Sequence, residues 1–183
     1  MPDLRGLAVA CALLGAPAGA HAQATAHAAP PPAPSPIDEL RARGLEFPVE
    51  GVSTTDLRDN FSAARGRGRK HQALDILAPR GTPVVAVEDG TIRRLSLANG
   101  GGGVVVYQAD PDDRYVYYYA HLERWAEGLA EGDAVTRGQV IGYVGTSGNA
   151  PPDTPHLHFA IYRLEPGSRG WHGSPLNPYE VLL

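Results

Sequence analysis

Short runs in which apolar and polar residues alternate, separated by Gly, Pro and Asp, dominate the chain beyond residue 45. A period of two places successive side chains on opposite faces of a strand. Runs of this kind cover residues 83–87, 91–96, 104–108, 115–120, 139–144 and 156–163, many of them rich in the β-branched and aromatic residues that strands favour. Asp89-Gly90 marks a turn between strands. Residues 128–145, with Gly-Asp-Ala-Val-Thr-Arg-Gly-Gln-Val-Ile-Gly within them, read as turn, short strand, turn, strand. Residues 123–130 are expected to make one or two helical turns. The pattern predicts an all-β domain over residues 45–183.

The stretch before this domain is patterned differently. Arg5 supplies a positive start, residues 7–14 form a short apolar core, and Ala20-His21-Ala22 is a small-x-small cleavage sequence, so residues 1–22 read as an export signal removed after Ala22. The apolar core is far shorter than the roughly 20 residues that a membrane-spanning helix needs, so no transmembrane segment is expected in the mature chain. Cys11 is the only cysteine and lies inside the signal, which leaves the mature chain without a thiol or a disulfide. Ala8-Val9-Ala10-Cys11 is a poor lipoprotein site, because cutting there would leave too short an apolar core. Residues 23–44 read as an Ala- and Pro-rich spacer, extended through residues 30–36, with a short helix expected over 37–43. A length of 183 residues leaves room for one globular domain beside these segments.

The formal charge of −4 argues against a nucleic-acid partner. One local exception is Arg65, Arg67, Arg69 and Lys70, directly before His71. This run either draws an anionic polymer or a peptide carboxylate, or is a solvated Gly-Arg loop.

Candidate chemistry rests on histidines. Outside the signal and spacer they are His71, His121, His156, His158 and His172. In His156-Leu157-His158-Phe159-Ala160-Ile161, alternation sets Leu157, Phe159 and Ile161 on one face and both histidines on the other. Residues two apart on a strand are about 6.6–6.8 Å apart at the backbone, close enough for two imidazoles to share a small site, though a pair of exposed histidines reads equally well. His71 and Asp75 are separated by four positions, roughly 13 Å along a straight strand, so the chain between them must curl if both are to meet one ion. Alternation in residues 115–121 sets Tyr115, Tyr117, Tyr119 and His121 on a common face, and such an aromatic stripe is more often cross-strand packing than a substrate platform. His172 lies in a Gly-Trp-His-Gly loop and receives no role; residues 149–154, with Pro151-Pro152, are expected to wall a cleft.

Taken in order, His71-x-x-x-Asp75, Tyr119-Ala120-His121-Leu122 and His156-Leu157-His158-Phe159 resemble the motifs of the lysostaphin/LytM-type zinc metallopeptidases, which hydrolyse peptidoglycan peptides. Phe47-Pro48-Val49, residues 78–84, Gly138-Gln139-Val140-Ile141-Gly142 and Asn177-Pro178-Tyr179 also suit that family, so the resemblance spans nearly all of residues 45–183. It implies a mainly antiparallel two-sheet sandwich of the duplicated hybrid, barrel-sandwich type with short helical turns. It implies one Zn2+ per chain, with His71, Asp75 and His158 as metal ligands and with His121 and His156 beside the open coordination position as the catalytic, proton-handling pair. Two neutral imidazoles and a carboxylate are a three-ligand set of the catalytic type. With no His-Glu-x-x-His helix to supply a carboxylate base, His121 or His156 must serve, and the choice between them stays open. One departure stands out: the family commonly has Gly two residues after the first ligand, where this chain has Ala73, which brings a positive φ there into question.

A monomeric, exported endopeptidase, periplasmic or extracellular, acting on peptidoglycan is the resulting expectation. Its main rival is a non-catalytic peptidoglycan-binding activator of another wall hydrolase, which zinc content would distinguish. A lipoyl or biotinyl carrier shares the Gly-Asp-x-Val rhythm but needs a lysine at a hairpin tip, and Lys70 is the only lysine. A phosphohistidine carrier would be cut off by export from its cytoplasmic donors.

Overall fold

The computed structural model describes residues 32–66, 68–97, 101–167 and 173–183. The export signal, most of the spacer and His172 lie outside these residues. Helix α1 (Pro36–Arg43) is followed by strands β1 (Ala64–Arg65), β2 (Arg69–Lys70), β3 (Leu74–Leu77), β4 (Pro83–Val85), β5 (Gly90–Leu97) and β6 (Val104–Ala109). Then come β7 (Tyr115–Trp125), β8 (Ala134–Val135), β9 (Val140–Val144), β10 (His156–Arg163), β11 (Ser174–Leu176) and helix α2 (Pro178–Leu182). All strand pairings are antiparallel. The expected all-β, mainly antiparallel class is therefore what is found, with no closed barrel.

Nine strands share one hydrogen-bonded network in the order β11-β10-β7-β6-β5-β8, with β3 added to β10 and the β4–β9 pair added to β7. β1 and β2 form a separate two-stranded sheet. The branch point is β7. Its first half runs between β6 and β10, and its last residues pair with β9. In place of the helical turns expected over residues 123–130, β7 runs on to Trp125, because Leu122, Arg124 and Trp125 find partners on β9, and a turn follows.

The apolar alternation of β7 and β10 explains the core. Leu157, Phe159 and Ile161 are fully buried, as are Tyr115, Tyr117 and Tyr119. Buried phenols need partners, and each has one. The Tyr119 hydroxyl donates to Gln108 Oε1 at 2.7 Å, Tyr115 donates to Glu39 Oε2 at 3.0 Å, and Tyr117 donates to the Glu88 carboxylate. The aromatic stripe is thus core packing, not a substrate platform.

The helix expected in the spacer belongs to the fold, so the folded unit begins ahead of Leu45. Ser35 caps α1 by accepting from the Asp38 N–H, and Leu40 is fully buried among the core side chains. Arg43 reaches the carboxylates of Glu39, Glu88 and Asp110 at 3.0, 3.1 and 3.0 Å, tying α1 to a buried polar cluster beneath β7. No described helix is long and apolar enough to cross a membrane.

Candidate metal centre and cleft

β3 lies beside β10 in a register that sets Asp75 directly opposite His158. His71 precedes β3, and the curl required between it and Asp75 comes from Gln72, whose φ is 58°. The positive φ brought into question at Ala73 thus falls one residue earlier, and Ala73, fully buried, packs its methyl group in the interior. The His71 N–H donates to the Ala63 carbonyl (2.9 Å) and the Gln72 N–H to that of Phe61 (2.8 Å), fixing the curl.

Three donor atoms converge there. His71 Nε2 is 2.9 Å from Asp75 Oδ1 and 3.0 Å from His158 Nδ1, and His158 Nδ1 is 2.8 Å from Asp75 Oδ1. Tetrahedral ligands at zinc bond lengths stand about 3.3 Å apart, so this triangle needs to open only slightly to grip such an ion. Nδ1 of His71 donates to the Asn60 carbonyl at 3.1 Å, which leaves the lone pair of Nε2 turned toward the other two atoms. Burial acts to raise the Asp75 carboxyl, but the imidazoles of His158 and His71 beside it outweigh that and hold the group far below the usual carboxylate range. Burial likewise lowers His158 despite the pull of Asp75. The set is an ionised carboxylate with two histidines, the chemistry that suits a borderline divalent ion.

His121 and His156 stand beside this triangle. Ring centroids are 4.9 Å apart for His121 and His156 and 5.5 Å for His121 and His158, while His156 Nε2 lies 3.8 Å from Asp75 Oδ1. The common face expected for His121 and the tyrosines does not hold. Val104 opposes Leu122 while Val106 opposes Tyr119, so an extra residue bulges from β7, and His121 takes a φ of 60°. A bulge re-aims the side chain, here away from the tyrosines and toward the two histidines of β10. Nδ1 of His121 donates to the Ser147 carbonyl at 2.9 Å, and Nδ1 of His156 to that of Thr154 at 2.8 Å. Both rings therefore keep Nε2 free to accept a proton. Desolvation pushes the His121 imidazole down to about 4, so it is neutral near pH 7.

The residues that position His121 went unread in the sequence. Gly103 (φ 68°) and Gly148 (φ 71°) cross so closely that a Cβ on Gly148 would stand 2.4 Å from the Gly103 nitrogen. This contact lets the Val104 N–H reach Ser147 Oγ at 2.9 Å and the His121 N–H reach the Gly102 carbonyl at 2.8 Å. The run of four glycines from Gly100 was the available signal. Arg65 also went unassigned: its guanidinium holds Asp75 Oδ2 at 2.9 Å, the oxygen turned away from the histidines.

These groups line a cleft of ≈ 440 Å3. Asn149, Ala150, Pro151 and Thr154 form one wall, as expected of that loop, and Arg65, Arg69 and Lys70 of the β1–β2 hairpin also line it.

Residues 69–178, more than half of the chain, match the family model described as Peptidase family M23. The chain is 36% identical over 136 residues to the L-Ala--D-Glu endopeptidase of Bacillus subtilis, covering 70% of this chain and 41% of that protein. It is 37% identical over 116 residues to the DD-carboxypeptidase/endopeptidase Mpg of Neisseria meningitidis, covering 63% and 23%. Among solved structures, the catalytic domain of lysostaphin from Staphylococcus simulans aligns with a TM-score of 0.56 and 25% identity, over 80% of this chain and 96% of that one. The chain thus spans less than half the length of these curated relatives and nearly all of the lysostaphin catalytic domain.

Proposed function

The chain belongs to peptidase family M23, and from that premise we propose that it is an exported zinc metalloendopeptidase cutting peptide bonds in bacterial peptidoglycan. The observation that carries the proposal is the convergence of His71 Nε2, Asp75 Oδ1 and His158 Nδ1 with two further histidines at one cleft. Relatives named as endopeptidases, one of them as a peptidoglycan DD-endopeptidase, support the substrate class, and residues 1–22 support export, with action in the periplasm or outside the cell.

His71, Asp75 and His158 would hold one zinc ion, which would supply Lewis acidity toward water, lowering its pKa to about 7, and toward the scissile carbonyl. The protein's own groups manage the protons. His156 and His121 are oriented by the Thr154 and Ser147 carbonyls through Nδ1–H, so that each neutral ring has Nε2 to accept a proton. One accepts the proton of the attacking water at Nε2 and, as an imidazolium, gives that same proton to the leaving amine, which departs neutral. The complete ligand set favours this enzyme over a non-catalytic activator.

The test is metal content and cleavage of purified peptidoglycan together. Wild type should carry about one zinc per chain and lose cleavage on chelation. His71→Ala or His158→Ala should lose both metal and activity. His121→Ala and His156→Ala should keep zinc while kcat falls by about 100-fold or more. Cleavage that survives in the His71 or His158 variant would remove the metal assignment.

A further inference from the structure

The β1–β2 hairpin carries three cations along the cleft, and they are not equivalent. Arg65 is neutralised by Asp75. Arg69 lies directly across the hairpin from Arg65. Among the described residues its side chain has a hydrogen bond only to the Gly66 carbonyl, at the long distance of 3.4 Å. Lys70 has no ion-pair or hydrogen-bond partner among the described residues. Arg69 and Lys70, consecutive in the chain and without a carboxylate partner among the described residues, form an arrangement that an anion would relieve. Among the described residues Asp75 is the single carboxylate lining the cleft, and it is already occupied by Arg65 and the histidines. The cleft therefore offers two unmatched cations beside the reaction centre.

Resting on the peptidase reading above, we propose that Arg69 and Lys70 form a subsite for a free carboxylate on the substrate peptide. The hairpin thereby selects stem peptides that carry an ionised side-chain or α-carboxylate over neutral peptides such as glycine bridges. A guanidinium fork and an ammonium beside it both donate to carboxylate oxygens in charge-assisted bonds. Because the contact lies on the cleft wall and not at the scissile bond, it sets KM and kcat/KM more than kcat.

The experiment uses the zinc-loaded full chain and two peptides that share one scissile sequence and differ in a single carboxylate, free in one and amidated in the other. Wild type should favour the free acid by about tenfold or more in kcat/KM at low salt, and less as salt rises. In the Arg69→Gln/Lys70→Gln double variant the ratio should fall toward one. Arg58→Gln, which removes a positive charge outside the cleft, should leave the ratio as it was. A wild-type ratio near one, or one that survives in the double variant, overturns the subsite. If neither peptide is cut, the peptidase reading fails, and the subsite is then judged on the dissociation constants of the same two peptides, where equal values overturn it. If the double variant keeps its peptide discrimination and instead loses affinity for a soluble polyanion, the hairpin serves a wall polymer and the proposal falls.

Discussion

Asp75 faces two ways. One oxygen meets His71 and His158, and the other is held by Arg65, whose own side chain is half exposed. A ligand fixed from behind loses less freedom when the ion arrives, and partners of this kind are commonly worth about 10–100-fold in metal affinity. Arg65→Gln should therefore weaken zinc binding by about that factor, measured by competition with a chromophoric chelator. An unchanged affinity would leave Arg65 without a part in holding the metal. Much of this centre was legible from residue types and order: His71, Asp75, His121, His156 and His158 all meet at one cleft. What spacing could not supply was the side of the strand on which His121 emerges, because a period of two assumes an unbroken ladder. The bulge at Ala120 and His121 depends on β6 as much as on β7, and no local pattern records it.

Among the elements, the loops around Gly103 and Gly148 and the helix α1 do the positioning. Gly148→Ala places a methyl group 2.3 Å from the Gly101 carbonyl oxygen at a φ of 71°, and neither backbone can yield cheaply. This variant should keep its zinc yet lose kcat by about tenfold or more, since the Ser147 carbonyl that orients His121 moves with the loop. Normal turnover with normal metal content would show that the loop crossing is dispensable. Helix α1 was visible as a short helix but misread as spacer, because its single fully buried apolar residue, Leu40, gives almost no periodic signal. Its attachment is largely ionic. Arg43→Ala strands Glu88 and the fully covered Asp110 carboxylate, and should cost about 2–4 kcal/mol in urea unfolding, the lower end reflecting the residual exposure of Arg43. Desolvation opposes the ionisation of Glu39, but hydrogen bonds from Arg43, Tyr115 and Arg114 prevail and lower its pKa. A lowered carboxylate stabilises the fold above its unfolded value of about 4.3 and loses that contribution as pH falls through the folded value. The grip on α1 should accordingly loosen in acid and not in base.

For the whole molecule, the metal centre joins segments far apart in sequence, since His71 and Asp75 meet His158 only across the β3–β10 pairing. An ion bound by all three stabilises the folded state alone. At free zinc 100 times its dissociation constant the gain is about 2.7 kcal/mol. For a chain of this size that corresponds to roughly 5–11 °C in Tm. Chelation should lower the melting temperature by that amount in wild type and not in His71→Ala; equal shifts in both would mean that zinc acts elsewhere. The overall class and the strands β4, β5, β6, β7, β9 and β10 followed from strand-like runs and turn residues. Long-range pairings did not, because the register of β3 on β10 is a property of two segments some eighty residues apart.

The two-stranded sheet of β1 and β2 stands apart from the nine-stranded network that sets the register of Asp75 and His158. Mutations in its tip leave the ladder beneath the metal untouched. The arm that recognises and the centre that cuts can thus be inherited on separate schedules as long as an arginine stays at position 65 to hold Asp75, and a hairpin transplanted with that residue from a relative of different taste should retrain the blade without blunting it.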